Sequence, residues 1–240
     1  MDFQGRRDGR KKRKMEKKEP TRKDPIRKKK SVENPKRNLE RVQHQKPTLV
    51  IIDLETTGLI DGPRMPHITQ IAVKEKETGD SFSVYVMPKI PITDDAQKLT
   101  GISVANGDML VNEKRVECVS IQTALTQLQR WLARFENVFL VAHYGKAFDF
   151  PVLMSALKNN NMIEKFLSSV TGFVDSWLVF RQKYPGRSCK QVDLARTLLH
   201  ITYDAHNAEA DVQTLAKLVG LCTTSELLSF RFSPKDIMLD

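Results

Sequence analysis

Cysteine is scarce in this 240-residue chain: Cys118, Cys189 and Cys222 are few, widely spaced and odd in number. Neither a disulfide framework nor a paired Cys-x-x-Cys zinc site is therefore expected. No apolar run is long enough to span a membrane, and the N-terminus lacks the apolar core of a signal peptide. A Gly-rich phosphate loop of the Walker type is missing, as is a His-Glu-x-x-His pair. These absences set aside a P-loop machine, a zinc protease and a secreted scaffold. They leave a chain expected in an intracellular, reducing compartment, with no membrane contact and no small-molecule cofactor.

Charge is plentiful but unevenly placed. Of the net +10, all lies at the front: residues 1–46 hold 19 Lys and Arg against 7 Asp and Glu, whereas residues 47–240 hold 20 against 22. The front segment is also nearly free of large apolar residues and cannot bury enough surface to offset the entropy of ordering, so it is expected to be disordered. Its clusters RKKRK (10–14) and RKKK (27–30) suit nuclear import or phosphate contact, and outweigh a plain solvated linker. A nuclear address follows as the expectation, with cytoplasmic residence open beside it. The remaining length suits one domain of conventional size, taken as 47–221, with an extension at 222–240 that packs on the body or serves for docking.

Periodicity gives a mixed architecture. Strands are expected near 48–54, 67–76, 81–87 and 137–142, the first three as an antiparallel meander. Ile121, Leu125, Leu128, Leu132 and Phe135 share one helical face behind Ser120 as a cap. Further helices are expected around 151–157, 175–182, 191–200 and 208–218.

Three short segments carry the chemistry. In VIIDLETTG (50–58) a β-branched apolar run ends in Asp53 and Glu55, which lie two apart on a strand and so point the same way. Two carboxylates held that close repel, and a divalent cation between them is the simplest resolution. The Thr56-Thr57-Gly58 turn then exposes backbone N–H groups. In VAHYGKAFDF (141–150) another buried run delivers His143 and Tyr144, and Asp149 stands just before Pro151, a residue tolerated in the first turn of a helix. Alone, Asp149 reads as an acid complementing a helix dipole. In HNAEAD (206–211) Asp211 projects from an early helical turn, while His206 sits on the loop before it, beside a metal site and outside its ligand shell. A lone His is most often a surface or satisfied core residue. Four carboxylates and one imidazole in this order nonetheless supply what hydrolysis of a phosphodiester bond by two metal ions needs.

These segments resemble the DEDDh family of 3′→5′ exonucleases, the DnaQ-like branch of the ribonuclease H-like superfamily, over roughly 47–221. DLETTGL is the most specific motif and HNAEAD the next. The branch with a tyrosine four residues before the last Asp is not matched, because that position is Asn207. HITQIAV (67–73), LTGIS (99–103) and FDFPVL (148–153) add a likeness to three-prime repair exonucleases and vertebrate PML-like exonucleases. The resemblance implies an α/β fold with a ribonuclease H-like mixed sheet flanked by helices. It implies Asp53, Glu55, Asp149 and Asp211 as ligands of two Mg²⁺ or Mn²⁺ ions, with His206 as the base. The substrate would be the 3′ end of DNA or RNA, single-stranded by preference, and a homodimer stays open. Thr57, Leu59, Ile102, His143 and Tyr144 would bind substrate, Leu59 and Ile102 by packing on the terminal base. One departure is the His-Tyr pair at 143–144, where the family usually has His-Asn; Tyr144 offers a ring for stacking where an amide would hydrogen-bond. Two other readings remain, a catalytically silent nucleic-acid binder on the same fold and a nuclear interaction protein working through its tail.

Overall fold

The computed structural model describes residues 46–237; the basic segment, apart from Lys46, lies outside the described residues. The expected meander is present as β1 (Thr48–Thr56), β2 (Ile68–Glu75) and β3 (Ser81–Val86), successive strands pairing antiparallel. Helix α1 (Asp94–Thr100) follows, capped by the Thr93 side chain and ended at Gly101, whose φ of 69° only glycine adopts without penalty. The strands β4 (Ile102–Ala105), β5 (Asp108–Val111) and β6 (Lys114–Arg115) form a separate three-stranded sheet, and β7 (Cys118–Val119) returns to the main sheet beside β3. The amphipathic helix α2 (Ile121–Leu132) starts at Ser120, whose side chain accepts the Thr123 N–H as anticipated.

Strand β8 (Val138–Ala142) is apolar throughout and buried on both faces, as a strand pairing in parallel with neighbours on each side should be. It leads to α3 (Asp149–Asn159), α4 (Ile163–Leu167) and β9 (Gly172–Asp175). The expected helix at 175–182 is α5 (Ser176–Lys183), with Asp175 both closing β9 and capping the helix. The stretch expected as one helix at 191–200 is instead α6 (Gln191–Leu194) continued by a π turn over Ala195–Leu199, ended by His200 in a left-handed conformation. Helix α7 (Ala208–Val219) matches its expectation, and α8 (Thr224–Leu228), β10 (Arg231–Phe232) and a 3₁₀ turn (Pro234–Asp236) complete the order.

The main sheet runs β10-β9-β8-β1-β2-β3-β7, mixed in direction, with helices on both faces. This is the ribonuclease H-like arrangement. On one face Val50, Ile52, Leu54, Ile71 and Val73 pack with α2, α3 and α4 through Leu125, Leu128, Phe150, Leu153 and Phe166. On the other, Leu49, Ile51 and Ala72 meet α5 and α7 through Phe180, Val212, Leu215 and Leu218. Strand alternation makes Leu49, Ile51, Asp53 and Glu55 one face, so the acids prolong the layer under α7. Residues 222–237 pack on the body: β10 pairs with β9, and Phe232 and Ile237 join the first of these cores. Among the described residues no helix is long and apolar enough to cross a membrane.

Candidate active site

The geometry follows from where the strands stop. Asp53 still pairs with Ala72 and Glu55 with Gln70, but the ladder slips between Glu55 and Thr56. Such an irregularity re-aims side chains at the edge of a site. Helix α7 crosses this end of the sheet, and ligand oxygens of Asp53, Glu55 and Asp211 lie within 4.8 Å of one another. Asp149, buried in the first turn of α3, accepts the Leu54 N–H at 3.2 Å, which ties that helix to the middle of the acidic segment. All four acids line a single groove of about 870 Å³, with His206 at its side.

The electrostatics of this cluster are unfavourable without a cation. Burial first, then the charges of Asp149, Asp211 and Glu55, hold the Asp53 carboxyl well above its ordinary range. Burial and the Asp211 and Asp149 charges push Glu55 up to about 8, and burial pushes Asp149 up to about 7 against the backbone N–H bonds that favour its charge. Asp211 is also raised by burial, although its hydrogen bonds oppose the shift. Hard carboxylate oxygens gathered in this way fit a divalent cation of the Mg²⁺ or Mn²⁺ type and offer no soft ligand. Such a cation would remove the repulsion that raises these groups.

Asp211 is held by His206 and by two partners, Tyr203 and Gln191, that the sequence did not single out. Its Oδ1 accepts from the Tyr203 hydroxyl at 2.7 Å and Gln191 Nε2 at 2.8 Å, and its Oδ2 accepts from the His206 backbone N–H at 2.8 Å. Gln191 reaches it from α6 and Tyr203 from the loop before α7, so no local pattern could have paired them. His206 itself has a φ of 68°, a left-handed conformation that lets its main chain bind Asp211 while the exposed imidazole borders the groove. Asn207 caps α7, accepting the Ala210 N–H at 3.2 Å.

The residues expected to touch substrate divide into two groups. Leu59 is 82% exposed on the groove rim, and Tyr144 lines the same groove at 53% exposure. Ile102 does not line it: at 1% exposure it packs with Ile92, Ala96 and Met109 beneath the small sheet. The apolar side chain facing Leu59's groove is Leu99, 56% exposed on α1, because the turn at Gly101 separates a helical position from a strand position. Thr57 is likewise turned inward. Its hydroxyl accepts the His67 N–H at 3.0 Å and its carbonyl accepts the Thr93 N–H at 2.8 Å, which fastens α1 to the end of β1. His143 borders the groove, yet both ring nitrogens are engaged, Nε2 with the Cys189 carbonyl at 2.6 Å and Nδ1 with Ser176 Oγ at 3.0 Å. Burial holds its pKa low, so the neutral ring donates from Nε2 and braces the 189–191 segment that carries Gln191.

Comparison with known proteins agrees with this geometry. Residues 50–219 match the sequence model of the exonuclease (RNase T) family. Mouse three prime repair exonuclease 2 is 30% identical over 219 residues, covering 76% of this chain and 86% of that protein. The PolC-type DNA polymerase III of Clostridium perfringens is 26% identical over 186 residues, and there the match covers 76% of this chain but only 11% of the polymerase. Among solved structures, E. coli exonuclease I in complex with a dT13 oligonucleotide superposes with a TM-score of 0.62 at 18% identity, over 75% of this chain and 41% of that one. Sequence model, relative and carboxylate cluster converge on one assignment: the chain belongs to the exonuclease family, in its DEDDh branch.

Proposed function

We propose that this protein is a metal-dependent 3′→5′ exonuclease that releases nucleoside 5′-monophosphates from the end of single-stranded DNA or RNA. The observation that carries the reading is the meeting of Asp53, Glu55 and Asp211 within 4.8 Å at the floor of a groove whose rim exposes Leu59 and Leu99. That pairing of acids with apolar rim side chains suits a phosphate below and a base above. The solved complex of E. coli exonuclease I with an oligonucleotide, similar in fold, supports nucleic acid as the occupant.

Asp53, Glu55, Asp149 and Asp211 would hold two Mg²⁺ or Mn²⁺ ions. Bound there, such ions would supply acidification of a water and charge stabilisation for an in-line displacement. The chain's own contribution is positioning. Leu59 and Leu99 grip the terminal base, a contact of about 1–3 kcal/mol per base. Tyr203 and Gln191 keep the Asp211 carboxylate aimed, and His206 accepts the proton of the attacking water, worth about 10²–10⁴ in rate. The test is digestion of matched labelled single-stranded DNA, single-stranded RNA, duplex and circular substrates with Mg²⁺, then with chelator. Mononucleotides released from linear 3′ ends, lost with EDTA and in Asp53→Asn, and slowed by orders of magnitude in His206→Ala, are the expected result. Undiminished digestion in EDTA, or circles cut as fast as linear strands, would remove the proposal.

A further inference from the structure

Beyond the groove, Tyr144 continues into a constructed surface. Its ring lies 5.7 Å from that of Trp177, edge to face at 76°, and the Arg181 guanidinium sits 5.0 Å from the Trp177 ring centroid. Trp177 and Arg181 are one turn apart on α5 and so share a face. The two segments are locked together by one buried carboxylate. Asp175 Oδ1 accepts the Tyr144 N–H at 3.0 Å and the Trp177 N–H at 2.9 Å, and Oδ2 accepts the Lys146 N–H at 3.1 Å. The clip holds Tyr144 at a φ of 62°, a left-handed conformation unfavourable for an aromatic residue, with its ring half exposed beside the acids. Strain that the surroundings maintain, spent on presenting an exposed ring, calls for a ligand.

We propose that Tyr144, Trp177 and Arg181 form a second nucleotide subsite, which takes a base upstream of the terminal nucleotide of a single strand. This rests on the exonuclease reading of the groove. Tyr144 supplies the stacking face, Trp177 fixes its tilt, and Arg181, placed over Trp177, meets a backbone phosphate. A ring stacks on any base while a guanidinium reads only charge, so the subsite favours strand length over sequence. Paired bases are already stacked and have no free face for Tyr144, so the occupant is a single strand.

The experiment compares binding of a 5′-labelled oligothymidylate and of thymidine 5′-monophosphate, by fluorescence anisotropy and competition, with Ca²⁺ present. The wild-type protein gains affinity from mononucleotide to oligonucleotide. In Trp177→Ala and in Tyr144→Ala that gain falls about five- to a hundredfold, the equivalent of one stacked base. Trp177→Phe, which keeps a ring, restores it to within about threefold. Arg181→Gln, at an exposed position, flattens the slope of log K against log salt, making it less negative by about 0.7, one phosphate's share for a single strand. If Trp177→Ala does not fold, the Arg181→Gln slope decides. An unchanged gain in a folded Trp177→Ala, or an unchanged slope in Arg181→Gln, overturns the subsite. Loss of the gain in a protein that digests nothing would keep the subsite and sink the exonuclease reading; digestion with the gain intact would do the reverse.

Discussion

At the scale of single residues, the side chains around the groove are held in states that are unfavourable on their own. Tyr144 is the clearest case, because its two energetic effects oppose each other. A non-glycine residue in the left-handed region costs about 1–2 kcal/mol, and asparagine relieves part of that. The ring pair with Trp177 returns about 0.5–1.5 kcal/mol. Tyr144→Asn should therefore shift the melting temperature by no more than about 4 °C in either direction, while binding of an oligonucleotide weakens. A larger loss of stability in a thermal scan would mean the ring is structural. The acids show the same tension with a definite sign. Glu55 titrates at about 8 and Asp149 at about 7 in the folded chain, far above their unfolded values. Between roughly pH 4 and 8 the folded form then binds more protons than the unfolded one, so stability falls as pH rises through that window. Melting in EDTA should show a midpoint at pH 5 several degrees above that at pH 8, and Mg²⁺ should recover the loss at pH 8. A midpoint that climbs from pH 5 to 8 in EDTA would contradict the buried, mutually repelling arrangement.

At the scale of elements, the site is made by three ends meeting: the end of β1, the start of α3 and the start of α7. The pieces that aim Asp211 are less regular. The loop before α7 brings the Tyr203 hydroxyl to Asp211, and the short helix α6 brings Gln191 to the same oxygen. Removing an outer hydrogen bond to a ligand typically costs about 10–100-fold in metal affinity or activity. Tyr203→Phe keeps the ring and loses only the donor, so the Mg²⁺ concentration for half-maximal digestion should rise about tenfold with the fold intact. Unaltered half-saturation would mean Gln191 alone suffices. Much of this arrangement was legible in the sequence. The long apolar strands β1, β2 and β8 and the periodic helices α2 and α7 follow from residue pattern, and with them the positions of Asp53, Glu55 and Asp211. What escaped was short or non-local. Strands β4 to β7, β9 and β10 span two to four residues, too few for alternation to register. Helix α1 has only seven residues, and without it Leu99 and Ile102 look interchangeable, although one faces the groove and the other the interior. Tyr203, Gln191 and Asp175 act through partners 8 to 31 residues away, which no local spacing announces.

At the scale of the whole molecule, charge is divided between two parts. Residues 47–240 hold 20 cationic against 22 acidic side chains, and four of those acids line the groove proposed to take a polyanion. Such a body has little long-range attraction for a phosphate backbone, and its own metal-free site repels one. The cations reside instead in residues 1–46, where 19 Lys and Arg stand against 7 acids. Neutralising each phosphate of a single strand changes the slope of log K against log salt by about −0.7, and a segment with this excess has the charge to neutralise several. A chain starting at residue 47 should bind single strands more weakly at low salt and with a flatter salt dependence. Its single-turnover cleavage rate at saturation should match the full chain, because every residue lining the groove stays in place. The clusters RKKRK and RKKK leave with the segment, and so should nuclear enrichment in cells. Equal salt slopes for the two proteins would show that the segment does not touch nucleic acid, and an unchanged cellular distribution would remove the import reading.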